Sequence, residues 1–484
     1  MFDKILISNR GEIALRIIRA CKELGIKTVA VYSDIDKFSP HVSAADESVS
    51  IGEPKAYLNQ NLILEIALNT GADAIHPGYG YLSENSNFIR AVEKSKIKFI
   101  GPSAKSVEMM GNKLNARKLM LENNVPVVPG SVVPVNRLED ASGIANEIGY
   151  PIMLKASGGG GGKGIRMVSD EKELEQAFNL TRSEAKKAFG SDEIYIEKLI
   201  INPKHIEVQI LGDHYGNHVH LFERECSLQR RFQKIIEEAP SPSIDSELRL
   251  KITSAAVQAA KACNYFNAGT VEFLMDENRN FYFLEMNTRI QVEHPVTESI
   301  TGIDIVKEQI KIAAGERISF EQDDVAIKGH SIECRINSED FDFSPSTGKI
   351  TNHKIPNLPG VRVDYGIDIG SEVSLYYDPL LSKVISYGRN RREALARMLN
   401  ALENYLITDV ETNIPFLKRI LKSEIFANAS FNINTLKNAA FTKEENTDLE
   451  IAAVIAAVMN YRGRFKVNGN LINNQNRWTE LKYD

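Results

Sequence analysis

The 484-residue chain has little cysteine, one tryptophan and no apolar run long enough to matter to a membrane. Cys21, Cys226, Cys263 and Cys334 are scattered with no C-x-x-C pair. That argues against a zinc site and a disulfide framework, and a reducing cytoplasm is the expected setting. Each cysteine reads as a small core residue. The longest strongly apolar run near the end, "IAAVIAAVM", is far too short to span a bilayer. The opening "MFDKILISNRGEIAL" lacks the basic and apolar regions of a signal peptide and reads as a buried strand. There is no excess of basic charge: the net charge is −6, which gives no reason to expect nucleic acid or an anionic membrane as partner. No G-x-G-x-x-G follows the first strand, where "SNRGE" stands instead, so a nicotinamide dinucleotide fingerprint is absent. The stretch "KASGGGGGKG" is not a Walker A loop either. Its first glycine would fall on Ser157, and Gly164 follows Lys163 where Ser or Thr is needed.

What is present is ordinary globular material, 43% hydrophobic and 25% charged, enough for about three domains. "KILIS", a helix with apolar residues at 13, 17, 18, 21 and 24, and "KTVAVYS" form a βαβ unit, and the alternation continues to about residue 110. A doubly wound parallel α/β domain is expected there. Beyond it, "YPIMLKAS" and "KGIRMVS" flank the glycines as a hairpin. "EIYIEKLI", "HIEVQILGD" and "HVHLFERECS" alternate polar and apolar positions, which predicts a largely antiparallel sheet. "TVEFLMDENRNFYFLEMNTRI" is a hairpin turning near residues 277–280. From about 330 a third region of short strands begins, with a helix at "RREALARMLNALENYLI".

Several residues could do chemistry. The glycine run exposes bare N–H groups that can approach a phosphate, although a flexible surface hairpin would look the same. Glu272 and Glu285 fall on paired strands with Asn287 two residues on. Carboxylates there are costly to bury without a cation, and two carboxylates with an amide suit Mg²⁺. In "NTRIQVEHPVTE", Arg289, Gln291 and Glu293 share one face if the segment is extended. Together they could hold a small anion and remove its proton. Lys113, Lys155 and Lys198 are candidate phosphate ligands, and Lys155 ends an apolar strand where a charge needs a partner.

These stretches, with "SNRGEIA", "AIHPGYGYLSEN", "FIGPS", "ECSLQRRFQK", "EEAPSP", "KGHSIECRIN" and "YYDPLLSKVI", resemble the biotin carboxylase component of biotin-dependent carboxylases, in the ATP-grasp superfamily. The resemblance covers residues 1 to about 440. It implies an N-terminal biotin carboxylase domain at 1–112 and an ATP-grasp domain at 113–329, with a mobile glycine-rich lid at about 130–203. A mostly antiparallel C-terminal domain at 330–440 and an extension at 441–484 follow. It implies that bicarbonate attacks Mg·ATP (or Mn·ATP) to give carboxyphosphate, whose CO₂ is captured by biotin. Lys113, Lys155, Gly160, Gly161, Gly162, Glu197, Lys198, Leu199, His205 and Gln229 are then expected at ATP. Glu272, Glu285 and Asn287 are expected at the metal, and Lys234, Arg289, Gln291 and Val292 at bicarbonate. Glu293 is the expected base, and Arg335 the cation that stabilises the enolate-like charge on biotin.

The chain departs from the family pattern at Phe232, where many relatives have histidine, and at Pro359, where some have a phenylalanine in a dimer contact with Arg16, Arg19, Glu23 and Arg362. A homodimer is still expected. No methionine is followed by lysine, the pair that carries biotin in acceptor domains. The chain is therefore expected to act on a separate biotin carboxyl carrier protein, alongside the carboxyltransferase of an acyl-CoA or pyruvate carboxylase. "LEIAAVIAAVMNY" is expected to dock on that partner. Another ATP-grasp ligase with a different acceptor, and a nucleotide-binding module with a decayed site, are the competing readings.

Overall fold

The computed structural model describes residues 1–157 and 164–438. Gly160, Gly161, Gly162 and the 441–484 extension lie outside them.

The first strands are β1 (Lys4–Ile7), β2 (Lys27–Ser33), β3 (Glu47–Gly52), β4 (Ala74–His76) and β5 (Lys98–Phe99), and they pair in the order β3-β2-β1-β4-β5. Every pairing is parallel, as the alternating pattern predicts. Helix α1 (Gly11–Glu23) buries Ile13, Ile17, Ile18 and Cys21 against this sheet. Only β3 has no counterpart in the sequence pattern; its "ESVSIG" alternates over just two apolar residues, Val49 and Ile51, too short a run to stand out. Strand order reverses between β1 and β4, so the loops that follow them open on the same crevice. Asn9, after β1, ties the two loops together by donating to the Pro77 carbonyl at 2.6 Å and the Tyr79 carbonyl at 2.8 Å.

Strands β6 (Ile152–Ala156), β7 (Ile165–Val168) and β8 (Ile194–Lys198) form a small antiparallel sheet in the order β7-β6-β8. Helices Leu138–Ile148 and Glu171–Phe189 cover it. Its core, which includes Ile152, Leu154, Val168, Leu174, Phe178, Ile194 and Ile196, draws only on residues 135–196.

The largest sheet contains β9 (Lys204–Gly212), β10 (His218–Arg230), β11 (Gln233–Ala239), β12 (Asn267–Met275), β13 (Phe281–Asn287) and β14 (His330–Asn337). Two-residue strands β15 (Gly348–Lys349) and β16 (His353–Lys354) precede β17 (Val361–Tyr365), followed by β18 (Glu372–Val373), β19 (Leu380–Gly388) and β20 (Leu406–Ile407). The order β13-β12-β9-β10-β11-β14-β19-β17 is antiparallel throughout. Because β11 pairs with β14, this sheet runs unbroken past residue 329.

Period-two alternation sorts its side chains. On β9, Ile206, Val208 and Ile210 enter a core with helix Ser246–Ala262. The intervening His205, Glu207 and Gln209 point to the other face and are buried there as well. On β14, Ile332, Cys334 and Ile336 face a second apolar cluster, which leaves Glu333 and Arg335 to the polar side. No helix among the described residues is long and apolar enough to cross a membrane.

Candidate active site

The polar face of the large sheet, the loops after β1 and β4, and the small sheet enclose a cavity of about 930 Å³. Its wall includes Lys113, Lys155, Glu197, Lys198, Leu199, His205, Gln229, Lys234, Glu272, Glu285, Asn287, Arg289, Gln291, Val292 and Arg335. All the candidate residues from the sequence that lie within the described chain therefore meet here except Glu293, which sits beneath the wall, fully buried.

Four carboxylates and three cations interlock at the floor. Lys234 Nζ donates to Glu207 at 2.6 Å, Glu293 at 2.7 Å and Glu272 at 2.8 Å. Arg335 donates to Glu237 at 2.6 Å and to the second oxygen of Glu293 at 2.9 Å. Arg224, also fully buried, donates to Glu207, Gln209, Thr270 and Thr297. Glu272 further accepts from Asn287 and Gln291, each at 2.8 Å, and lies 3.0 Å from His205 Nε2.

Protonation follows from these contacts. Burial pushes Glu293 up, but Lys234, Arg335 and Arg224 outweigh it and hold the carboxyl below its ordinary range. Glu272 behaves likewise: burial opposes ionisation, and Lys234 and His205 overcome it. Glu285 differs. Burial and then the charge of Glu272, its cross-strand partner, raise it above the ordinary value. Glu285 forms no hydrogen bond or ion pair among the described residues, so it is the carboxylate left wanting a cation. Glu237 is pushed by burial to about 7, with Arg335 opposing. Burial would lower Lys234, but Glu207, Glu272 and Glu293 hold it well above the usual lysine range.

One local expectation is corrected. Residues 289–293 do not form an extended strand: the chain turns at Val292–Glu293 and enters the helix His294–Thr301, with Pro295 in its first turn. Proline is pre-set for that position, which is why "EHPV" starts a helix. Arg289 and Gln291 still reach the cavity, while Glu293 drops below it.

At the small-sheet end of the cavity, Lys155 pairs with Glu197 at 2.5 Å, and Arg117 reaches the other Glu197 oxygen at 2.9 Å. The Lys198 ammonium is taken by the carbonyls of Gly149 and Tyr150, at 2.9 and 2.8 Å, so its contribution to the wall is the side-chain stem and backbone. Sequence reasoning missed Glu84, Glu207, Arg224 and Glu237. Glu84 anchors the segment leading into the 292–293 turn by accepting from the Thr288 N–H at 3.0 Å and from Arg289 Nε at 2.9 Å. A usable signal existed for Glu207, a charge among the apolar residues of "IEVQIL", like Lys155 in "PIMLK"; Arg224 sits between Glu223 and Glu225 and carries no such signal.

Comparison with known proteins settles the relationship. Three family models match in order: "Biotin carboxylase, N-terminal domain" at residues 1–107, "Carbamoyl-phosphate synthase L chain, ATP binding domain" at 112–320, and "Biotin carboxylase C-terminal domain" at 333–438. Biotin carboxylase 1 of Bacillus subtilis is 52% identical over 444 residues, 90% of this chain and 98% of that protein. The chain belongs to the biotin carboxylase family. Membership makes it an ATP-dependent ligase of the ATP-grasp class. The biotin carboxylase of Pseudomonas aeruginosa is 51% identical over 442 residues, 90% of this chain and 98% of that protein. Among solved structures, the biotin carboxylase domain dimer of Hydrogenobacter thermophilus 2-oxoglutarate carboxylase, in complex with MgADP, ADP and bicarbonate, superposes with a TM-score of 0.85. It is 50% identical and covers 90% of this chain and 97% of that one.

Proposed function

We propose that this cavity carboxylates biotin carried by a separate partner protein, using bicarbonate and Mg·ATP. The observation that carries the reading is the floor of the site. An ionised, fully buried glutamate, Glu293, is clamped between Lys234 and Arg335 beneath a wall containing Arg289 and Gln291. A carboxylate kept ionised by neighbouring cations is in the protonation state to accept a proton, and the cation and amide on the wall above it can hold the small anion that gives one. Val292 can serve bicarbonate only through its backbone N–H.

In the proposed sequence Glu293 removes the bicarbonate proton as the bicarbonate oxygen attacks the γ-phosphorus and ADP leaves. Carboxyphosphate then splits to CO₂ and phosphate. The biotin ureido nitrogen, its proton passing to that phosphate, bonds to CO₂, while Arg335 faces the charge developing on the ureido oxygen. Glu272 and Glu285 fit a divalent cation, since Glu285 is raised by burial and by Glu272 and has no cation of its own. With Asn287 they would hold Mg²⁺, which neutralises phosphate charge when bound. Lys113 and Lys155 reach the nucleotide half. The small sheet with its two helices, about residues 130–203, acts as the lid, which its self-contained core supports.

A homodimer belongs to the proposal, supported by the dimer in the Hydrogenobacter thermophilus structure. Arg16 and Arg362 are both committed to Glu298 within one chain, at 2.9 and 2.7 Å, so a shared face would rest more on Arg19 and Glu23. Four buried free thiols support a reducing, cytoplasmic setting. The test is transfer of label from [¹⁴C]bicarbonate to free biotin in the presence of Mg·ATP. Label in biotin, lost in Arg335→Ala, is the expected result; ATP cleavage with no labelled biotin would favour a ligase with another acceptor.

A further inference from the structure

Two sequence motifs have no part in the chemistry above, "SNRGE" after β1 and "LLSKVI" in β19. They meet beneath the catalytic turn. The Lys383 side chain on β19 is fully buried. Its Nζ donates to the Val292 carbonyl at 2.6 Å and lies 3.2 Å from Glu12 Oε1 on α1. Glu12 in turn accepts from the hydroxyl of Tyr79, a residue of the cavity wall. The start of α1 comes this deep because Gly366 has no side chain: a Cβ there would stand 2.5 Å from the Glu12 nitrogen. Lys383 is also the cross-strand partner of Arg335, so the two share one face of the sheet. One cation holds the carboxylate of Glu293, and its neighbour holds the peptide from which Glu293 springs.

Burying an ammonium is costly unless its protons are used. A carboxylate alone would neutralise it. The carbonyl contact does something more, because Val292 and Glu293 are joined by that peptide. The upstream end of the turn is held by Glu84 at Thr288, and the Gln291 carbonyl by His294 Nδ1 at 2.7 Å. Among the described residues, only Lys383 grips the Val292 oxygen with a side chain.

We propose that Lys383 is a positioning residue for bicarbonate: by fixing the Val292–Glu293 peptide it holds the two Cα atoms from which the Val292 N–H and the Glu293 side chain project toward one anion. This rests on the function proposed above. The competing account is that Lys383 only balances buried carboxylates, Glu12 in direct contact and Glu333 and Asp364 beside it.

The two accounts separate in a pair of variants, Lys383→Met and the double variant Lys383→Met with Glu12→Gln, which removes the orphaned buried acid. Positioning predicts that KM for bicarbonate rises about tenfold or more in both, since small misplacements at a reacting centre are expensive. KM for Mg·ATP should stay within about twofold, and the double variant should recover most of any loss in melting temperature. Hydrogen exchange at amides 289–294 should quicken about tenfold in both variants while the β14 amides keep wild-type protection. A bicarbonate KM back at the wild-type value in the double variant, or unchanged exchange at 289–294, overturns the proposal. If the wild-type protein shows no bicarbonate-dependent turnover, the functional reading falls, and the exchange measurement alone still decides whether Lys383 holds the turn.

Discussion

The three-stranded sheet closes on a core made wholly from residues 135–196, whereas the eight-stranded sheet shares its faces with helices from most of the described chain. The interiors differ as well. The small core is aliphatic and aromatic, and its charged edge is the Arg117–Glu197–Lys155 seam on the cavity wall. The polar face of the large sheet buries Arg224 and Lys383 and half-buries Lys234 and Arg335, paired with Glu12, Glu207, Glu237, Glu272 and Glu293. A region that must change position can do so cheaply only if its core travels with it. A region that must hold an ionised base needs cations fixed from several strands, and those cations make it stiff.

The largest way to break this contrast is at the base. Glu293→Gln keeps the shape and removes the charge, and should lower kcat about 10²–10⁴-fold with little change in KM for ATP. A loss under about tenfold would mean that another group takes the proton. Next comes the independence of the small core. Leu154, fully buried there, should cost about 2–5 kcal/mol as Leu154→Ala. Hydrogen exchange should rise across 135–196 and stay unchanged across 204–388; a global rise would show that the two sheets unfold together.

The charged region should also be the acid-sensitive one. Burial pushes Glu298 up, yet Arg16, His294 and Arg362 outweigh it and hold the group at about 2, against an ordinary 4.5. A depressed carboxylate stabilises the fold fully above its unfolded value and loses that contribution as pH falls toward its folded one. The amount is about 3 kcal/mol. Glu298→Gln should therefore melt below the wild type at pH 7, with the gap shrinking between pH 4.5 and 2; a gap that is constant with pH would contradict the assignment. The smallest effect belongs to the seam. Arg117→Ala leaves Glu197 with Lys155 alone and should raise KM for ATP about tenfold, leaving KM for bicarbonate in place. Equal losses on both substrates would argue against a separable nucleotide end.

Much of this architecture was legible in the sequence because it is periodic. The βαβ alternation predicted the parallel sheet, and polar–apolar alternation predicted the antiparallel one and the hairpin that brings Glu272 opposite Glu285. Strand β3 escaped because its alternation spans only Val49 and Ile51. The turn at 292–293 is hard to read because "RIQVE" alternates like a strand up to the proline that starts a helix. The supporting charges Glu12, Glu84, Glu207, Arg224 and Lys383 escaped for a different reason. Their partners lie from 15 to 371 residues away, so nothing local marks them, apart from the apolar company of Glu207 and Lys383. Lys155 stands out on that ground, and the same test applied to "LLSKVI" and "HIEVQIL" finds Lys383 and Glu207.

The most direct test of the central claim is bicarbonate-dependent ADP release by the purified protein with Mg·ATP, measured with and without free biotin. Turnover that requires bicarbonate and rises with biotin is the predicted result. Release that is indifferent to biotin would contradict it, and would mean that the charged floor beneath this cavity activates bicarbonate for a different acceptor.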